Sequence, residues 1–275
     1  MENPFDRKVI PITSVASGKG QELLPDLYMY TDQIVNLFFV GDANGWVVVD
    51  AGMPRSAGEI IAEAEARFGG AKPRAIVLTH GHFDHVGSIV DLIRHWNIPV
   101  YAHEAELPYL TGRLDYPPAD PTVGGGLNSL ISPLFPNEAI DLTGHVEALP
   151  ASGDVAVMPG WRAVPTPGHA PGHISLFRES DRTLLAGDAF VTVKQESVYK
   201  VMTQQLEMNG PPKYFTIDWE LAEASVKKLN DLRPALAATG HGQPMREDVL
   251  AEELGQLARH FRERAVPEHG RYAGK

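Results

Sequence analysis

A chain of 275 residues with 43% hydrophobic side chains is long enough to bury one large core or two small ones. It has no cysteine, which excludes disulfides, thiolate metal ligands and a cysteine nucleophile. With 35 acidic and 24 basic side chains the formal charge is −11, a field that disfavours nucleic acid and other polyanions.

The N-terminal stretch MENPFDRKVIPITS has no apolar core behind a basic start, so it does not read as a secretory leader. No run approaches the roughly 18 uninterrupted apolar residues of a membrane span. A cytoplasmic setting without a membrane partner is therefore expected. Ile34 to Val40 and Trp46 to Val49 are β-rich runs around the turn Gly41-Asp42-Ala43-Asn44-Gly45. Asp50-Ala51-Gly52 breaks the second strand, and Ala57 to Phe68 carries helix formers up to Gly69-Gly70. Ala75 to Leu78 is a short buried strand, Gly87 to Trp96 a helix, and Pro99 to Ala102 another strand. This alternation predicts an α/β layer.

From Glu104 to about Gly160 the pattern lapses into Pro117-Pro118, Pro121, Gly124-Gly125-Gly126, Pro133 and Pro136, with Tyr109, Tyr116, Leu127, Leu130 and Phe135 interspersed. It reads as a surface excursion or as a lid or wall over a site, inserted in one domain spanning residues 1–275. Strands resume at Trp161 to Pro165, Ile174 to Arg178 and Thr183 to Ala186. Helices are expected over Ser197 to Met208 and Asp218 to Leu229, a strand over Ala235 to Thr239, and a last helix from Glu247. From Arg262 onward the polar chain is expected to fray.

The sharpest local signal is Thr79-His80-Gly81-His82-Phe83-Asp84-His85, directly after a strand. His80 and His82, two apart, can be aimed by one turn at a single ion, while Asp84 and His85 reach a second ion or orient water. Imidazole with carboxylate suits zinc, and also iron or manganese. Three later segments repeat a strand, a glycine turn and a possible ligand: Pro167-Gly168-His169, Ala186-Gly187-Asp188 and Thr239-Gly240-His241. Strand C-termini share one edge in α/β folds, so these residues supply a third nitrogen, a bridging carboxylate and a nitrogen for the other ion. His173 reads as a structural residue or a substrate contact, and Asp50 as a turn residue or a holder of a ligating imidazole. Lys194 and Tyr199 read as solvated residues rather than substrate contacts.

The THGHFDH run resembles the HxHxDH motif of the metallo-β-lactamase superfamily, and the order of the ligand segments from Ile34 to His241 is similar too. The resemblance implies an αββα sandwich holding two divalent metal ions at one edge of its two sheets. It implies that His80, His82 and His169 bind one ion, that Asp84, His85 and His241 bind the other, and that Asp188 bridges them. It also implies hydrolysis by a metal-bridging hydroxide, with Asp84 orienting it and moving its proton.

Departures from family patterns narrow the chemistry. Zinc β-lactamases commonly place a cysteine or a different ligand where this chain has Asp188, and the diiron branch has glutamate where this chain has His82. Pro165 to Leu176 (PTPGHAPGHISL) resembles the TPGHxPGHxSL segment of quorum-sensing lactonases, and glyoxalase II-like thioesterases share its first half. Several lactone hydrolases carry tyrosine three residues beyond the bridging aspartate. Here that position is Val191, which has no hydrogen to donate. The run Ala186 to Ser197 is similar to bacterial probable metallohydrolases. The expectation is hydrolysis of a small lactone, carboxylic ester or thioester, with a phosphodiesterase or phosphotriesterase as the alternative. A metal-containing interaction domain without turnover is the non-enzyme alternative. A homodimer is a further expectation, from apolar surface on the insertion and the last helix.

Overall fold

The computed structural model describes residues 1–6 and 12–273. Residues 7–11, within the stretch read for a leader, lie outside the described residues. The chain divides into two compact units, residues 1–116 with 136–159, and residues 117–135 with 160–275.

The first unit is built on a seven-stranded sheet in sequential order. Its strands are β1 (Lys19–Leu24), β2 (Leu27–Asp32), β3 (Val35–Asp42), β4 (Gly45–Val49), β5 (Ile76–Val77), β6 (Val100–Ala102) and β7 (Val146–Ala148). The first four pair antiparallel through tight turns, Asp42 facing Gly45 across the turn between β3 and β4. From β4 to β7 the pairing is parallel, with helical crossovers. The helices are α1 (Ala57–Phe68), α2 (Phe83–Val86), α3 (Ile89–Trp96) and α4 (Leu107–Leu110). Apolar spacing turns Ile60, Ala64 and Phe68 of α1 inward, and Gly69 ends the helix in the left-handed region at φ 61°. The core here is aromatic: Trp46 stacks on Phe68 with centroids 4.2 Å apart, and Trp96 and Phe39 meet Trp46 edge-on.

The second unit carries a five-stranded sheet of order β12-β11-β10-β9-β8. These are β8 (Trp161–Pro165), β9 (Ile174–Arg178), β10 (Thr183–Leu185), β11 (Leu236–Ala238) and β12 (Met245–Arg246). Its helices are α5 (Leu127–Ile131), α6 (Val198–Thr203), α7 (Trp219–Asp231), α8 (Glu247–Arg259) and α9 (Phe261–Arg264). The pair β10/β11 is parallel and the rest antiparallel. Phe177, Phe190, Trp219, Val226, Leu250, Leu257 and Phe261 join sheet and helices in one core.

The insertion and the C-terminus are better ordered than their composition suggests. Residues 104–160, expected as a surface excursion or a lid or wall, carry elements of their own. Their flanks contribute α4 and the edge strand β7 to the first unit, anchored by buried Leu110, Ile140 and Leu142, and 117–135 belong to the second. The stretch beyond Arg262 does not simply fray: Ala265 is buried, and the Arg271 backbone N–H donates to the Asp120 carboxylate. Phe261, just before it, is the apolar anchor that the polar composition concealed. Among the described residues no helix is long and apolar enough to cross a membrane.

Candidate metal centre

In the first unit the register of two parallel strands begins the site. Val49 of β4 lies beside Val77 of β5, so the residues just past each strand end are neighbours. Asp50, at φ 63°, turns its carboxylate back to accept the Thr79 backbone N–H at 2.8 Å and the Thr79 hydroxyl at 2.8 Å. The same carboxylate takes His85 Nδ1 at 2.8 Å. Both Asp50 and His85 are fully buried.

These bonds decide where the protons are. The Thr79 hydroxyl gives its hydrogen to Asp50, so its oxygen accepts from His80 Nδ1 at 3.1 Å. His80 and His85 therefore each hold a proton on Nδ1 and present Nε2 as a lone pair, the form in which imidazole binds metal. His80 Nε2 lies 3.0 Å from His82 Nδ1. Two nitrogens on one tetrahedral zinc stand about 3.3–3.4 Å apart, given bonds of about 2.0–2.1 Å, so this pair is slightly closer than the ideal spacing. Asp84, in the first turn of α2, is buried next to them in sequence.

The backbone of this loop is clasped from below. The Gly81 N–H points at Glu106 Oε2 (2.9 Å) and at the Tyr116 hydroxyl oxygen (3.0 Å), and the Tyr116 hydroxyl donates to the same carboxylate. Burial, reinforced by Glu106, holds the Tyr116 phenol well above the ordinary tyrosine range, so the hydroxyl keeps its hydrogen. A Cβ at position 81 would stand 2.8 Å from the Tyr116 hydroxyl and 2.9 Å from Leu110, which is why glycine separates the two histidines.

In the second unit the same logic recurs. Leu185 of β10 and Ala238 of β11 are parallel partners, so Asp188 and His241, each three residues past its strand, are brought together. The Gly240 N–H donates to Gly187 O at 2.8 Å and locks the two turns. His241 Nε2 lies 3.3 Å from Asp188 Oδ2, and His169 Nε2 lies 3.6 Å from the same oxygen. His169 sits in the β8–β9 connection. Its Nδ1 is 3.3 Å from the Thr216 hydroxyl, which itself donates to Pro212 O, so His169 too presents Nε2.

His173 is placed as a structural residue. Its Nε2 accepts the Asp188 backbone N–H at 2.8 Å. The opposite nitrogen donates to Thr166, Thr166 to Ser175, and Ser175 to Ala186 O, at 2.9, 3.1 and 2.9 Å. Thr166 also lies 3.5 Å from Val164 O, and the relay ends on the backbone of the turn that carries Asp188. Val191 is buried and pairs with Asn209.

The donors fit divalent ions. Each unit gathers imidazole nitrogens and carboxylate oxygens at ligand-like separations, and three imidazoles have their tautomer fixed by an outer partner. Asp50 was legible as a possible holder of an imidazole. Thr216, 47 residues from His169, and Glu106 and Tyr116, 25 and 35 residues from Gly81, were not.

A model of the metallo-beta-lactamase superfamily matches residues 30–241, the interval that holds all of these donors. The chain is 48% identical over 262 residues to the probable metallo-hydrolase YflN of Bacillus subtilis (strain 168), covering 94% of this chain and 98% of that one. It is 26% identical over 157 residues to an N-acyl homoserine lactonase of Bacillus thuringiensis, covering 57% of this chain and 50% of the lactonase. A solved metallo-beta-lactamase family protein from Thermus thermophilus superposes with a TM-score of 0.59 at 22% identity, covering 88% of this chain and 81% of that one. At that identity the likeness speaks for the fold, and it bears out the fold class expected from the sequence.

Proposed function

The chain belongs to the metallo-beta-lactamase superfamily and is a metal-dependent hydrolase, and from that premise we propose that it cleaves an ester-type carbonyl substrate: a lactone, a carboxylic ester or a thioester. The observation that carries the metal assignment is the common hold on His80, His85 and His169, each anchored through Nδ1 with Nε2 left to bind. In this reading His80, His82 and His169 hold one ion, Asp84, His85 and His241 the other, and Asp188 both. Zinc suits these nitrogen and carboxylate donors best, with iron and manganese as the other candidates.

Two such ions, when bound, lower the pKa of water toward roughly 7 and draw charge from a carbonyl oxygen. The residues do the rest. Asp84 takes a proton from the attacking water and returns it to the departing oxygen or sulfur as the acyl bond breaks. Asp50, through His85, and His173, through the Asp188 turn, keep the donors oriented during that transfer.

The PTPGHAPGHISL run and the partial likeness to an N-acyl homoserine lactonase support the carbonyl class. Val191 marks a difference within it, because no hydroxyl stands at that position to assist a lactone carbonyl. The test is steady-state turnover of protein with known metal content on matched lactones, open-chain esters, thioesters and phosphate esters. A kcat/KM preference for one carbonyl class, abolished in Asp84→Asn at full metal occupancy, is the expected result. Preference for phosphate esters would overturn it.

A further inference from the structure

We propose that Glu106 and Tyr116 are positioning residues of the metal loop, acting through the Gly81 peptide and the His82 ring; the inference rests on the metal assignment above. Glu106 is fully buried. A carboxylate taken out of water is costly unless its oxygens are filled, and here one oxygen receives both the Gly81 N–H and the Tyr116 hydroxyl. That arrangement fixes the peptide plane between His80 and Gly81, one residue before His82.

The ring of Tyr116 completes the grip. It meets the His82 imidazole at 4.5 Å between centroids, inclined by 60°, and it also stacks on Tyr109 at 4.1 Å and 10°. His82 is thus wedged in the orientation that turns Nδ1 toward His80 Nε2. Glu106 itself is delivered by a short turn, Glu104–Glu106, capped by the His103 side chain accepting the Ala105 N–H. Local chain geometry, a buried acid and an aromatic stack therefore converge on one peptide between two proposed ligands. The cluster acts on the ligands and not on substrate. Its work is to set nitrogen positions before an ion arrives, so that binding does not have to order the loop.

The test uses the full chain loaded with Co2+, whose visible spectrum reports ligand geometry. Tyr116→Phe keeps the ring and removes the hydroxyl. Glu106→Gln keeps an acceptor for Gly81 and removes the charge, and Glu106→Leu removes both. Affinity is read by competition with a chromophoric chelator, and folding by the circular dichroism of the metal-free protein. Co2+ affinity is expected to fall by about 10- to 100-fold in Tyr116→Phe and Glu106→Leu, with displaced ligand-field bands. Glu106→Gln is expected to recover part of the loss. If Glu106→Leu does not fold, Tyr116→Phe and Glu106→Gln still decide the matter. Wild-type affinity and a superimposable spectrum in both of these would overturn the inference. A wild-type chain that binds fewer than two Co2+ ions contradicts the assignment beneath it, which is a separate outcome.

Discussion

Three histidines in this protein are held by the nitrogen that they do not offer to a ligand. His80 rests on Thr79, His85 on Asp50 and His169 on Thr216. The hold is directional, because each acceptor has its own hydrogen committed elsewhere or has none. Asp50 bears the most, since it orients His85 directly and His80 through Thr79. Asp50→Asn is predicted to weaken metal binding by about 10- to 100-fold with little change in secondary structure. Chelator competition measures it, and an unchanged affinity would contradict the role. A second buried acid, Asp32, answers to pH instead. Burial pushes its carboxyl up to about 6, against the lowering pull of the Met53 N–H and Ser56. An acid raised on folding favours the folded state in its protonated form, fully so below about 3.8, and that contribution is lost as pH rises through about 6. The two-unit shift corresponds to roughly 3 kcal/mol. Asp32→Asn, neutral throughout, should gain in Tm relative to wild type as pH goes from 4 to 8. A constant difference across that range would show that Asp32 does not titrate there.

At the scale of elements, the site is a consequence of where parallel strands end. Asp50 and Thr79 follow β4 and β5, and Asp188 and His241 follow β10 and β11. This much was legible, since each donor stood in a glycine turn behind an apolar run, and the hairpin at Ala43-Asn44 was legible too. Strands β1 and β2 were not read: β1, Lys-Gly-Gln-Glu-Leu-Leu, is exposed over its first four residues and carries no apolar alternation. Three-residue β7 is too short to show any period. The helix expected to reach Met208 stops at Thr203, where Gln204 adopts a left-handed cap at φ 52°. Helix α7 packs on the turn that carries His169. Its N-terminal region accepts no freedom at the His169 turn: Ile217 and Asp218 N–H both donate to Gly168 O, and Ser225 donates to Pro167 O. Gly168 lies at φ +132°, and a Cβ there would collide with the Ala222 backbone. Gly168→Ala is predicted to cost several kcal/mol, on the order of a buried backbone clash with strain. Thermal denaturation measures this loss, and the same variant should lose metal as His169 moves. Wild-type Tm and occupancy would contradict the packing argument.

For the molecule as a whole, each unit carries a sheet, a core and a cluster of donor side chains. The first brings His80, His82, Asp84 and His85 on one loop, and the second brings His169, Asp188 and His241 from three strand ends. The proposed ligands could be named from the sequence because their residue types cluster in short motifs. Outer partners such as Thr216 and Glu106 were hidden by their distance in sequence, and no local pattern announces a threonine or glutamate as the holder of a remote histidine or glycine. Charge and the absence of cysteine set the frame without pointing to a substrate. The proposed function rests on these seven side chains holding two ions, with Asp188 common to both. The direct measurement is calorimetric titration of metal-free protein with Zn2+, for wild type and Asp188→Asn. Two ions per chain are predicted for the wild type, and weakened binding of both in the variant. One ion per chain, or two ions bound equally well without the Asp188 carboxylate, would contradict it.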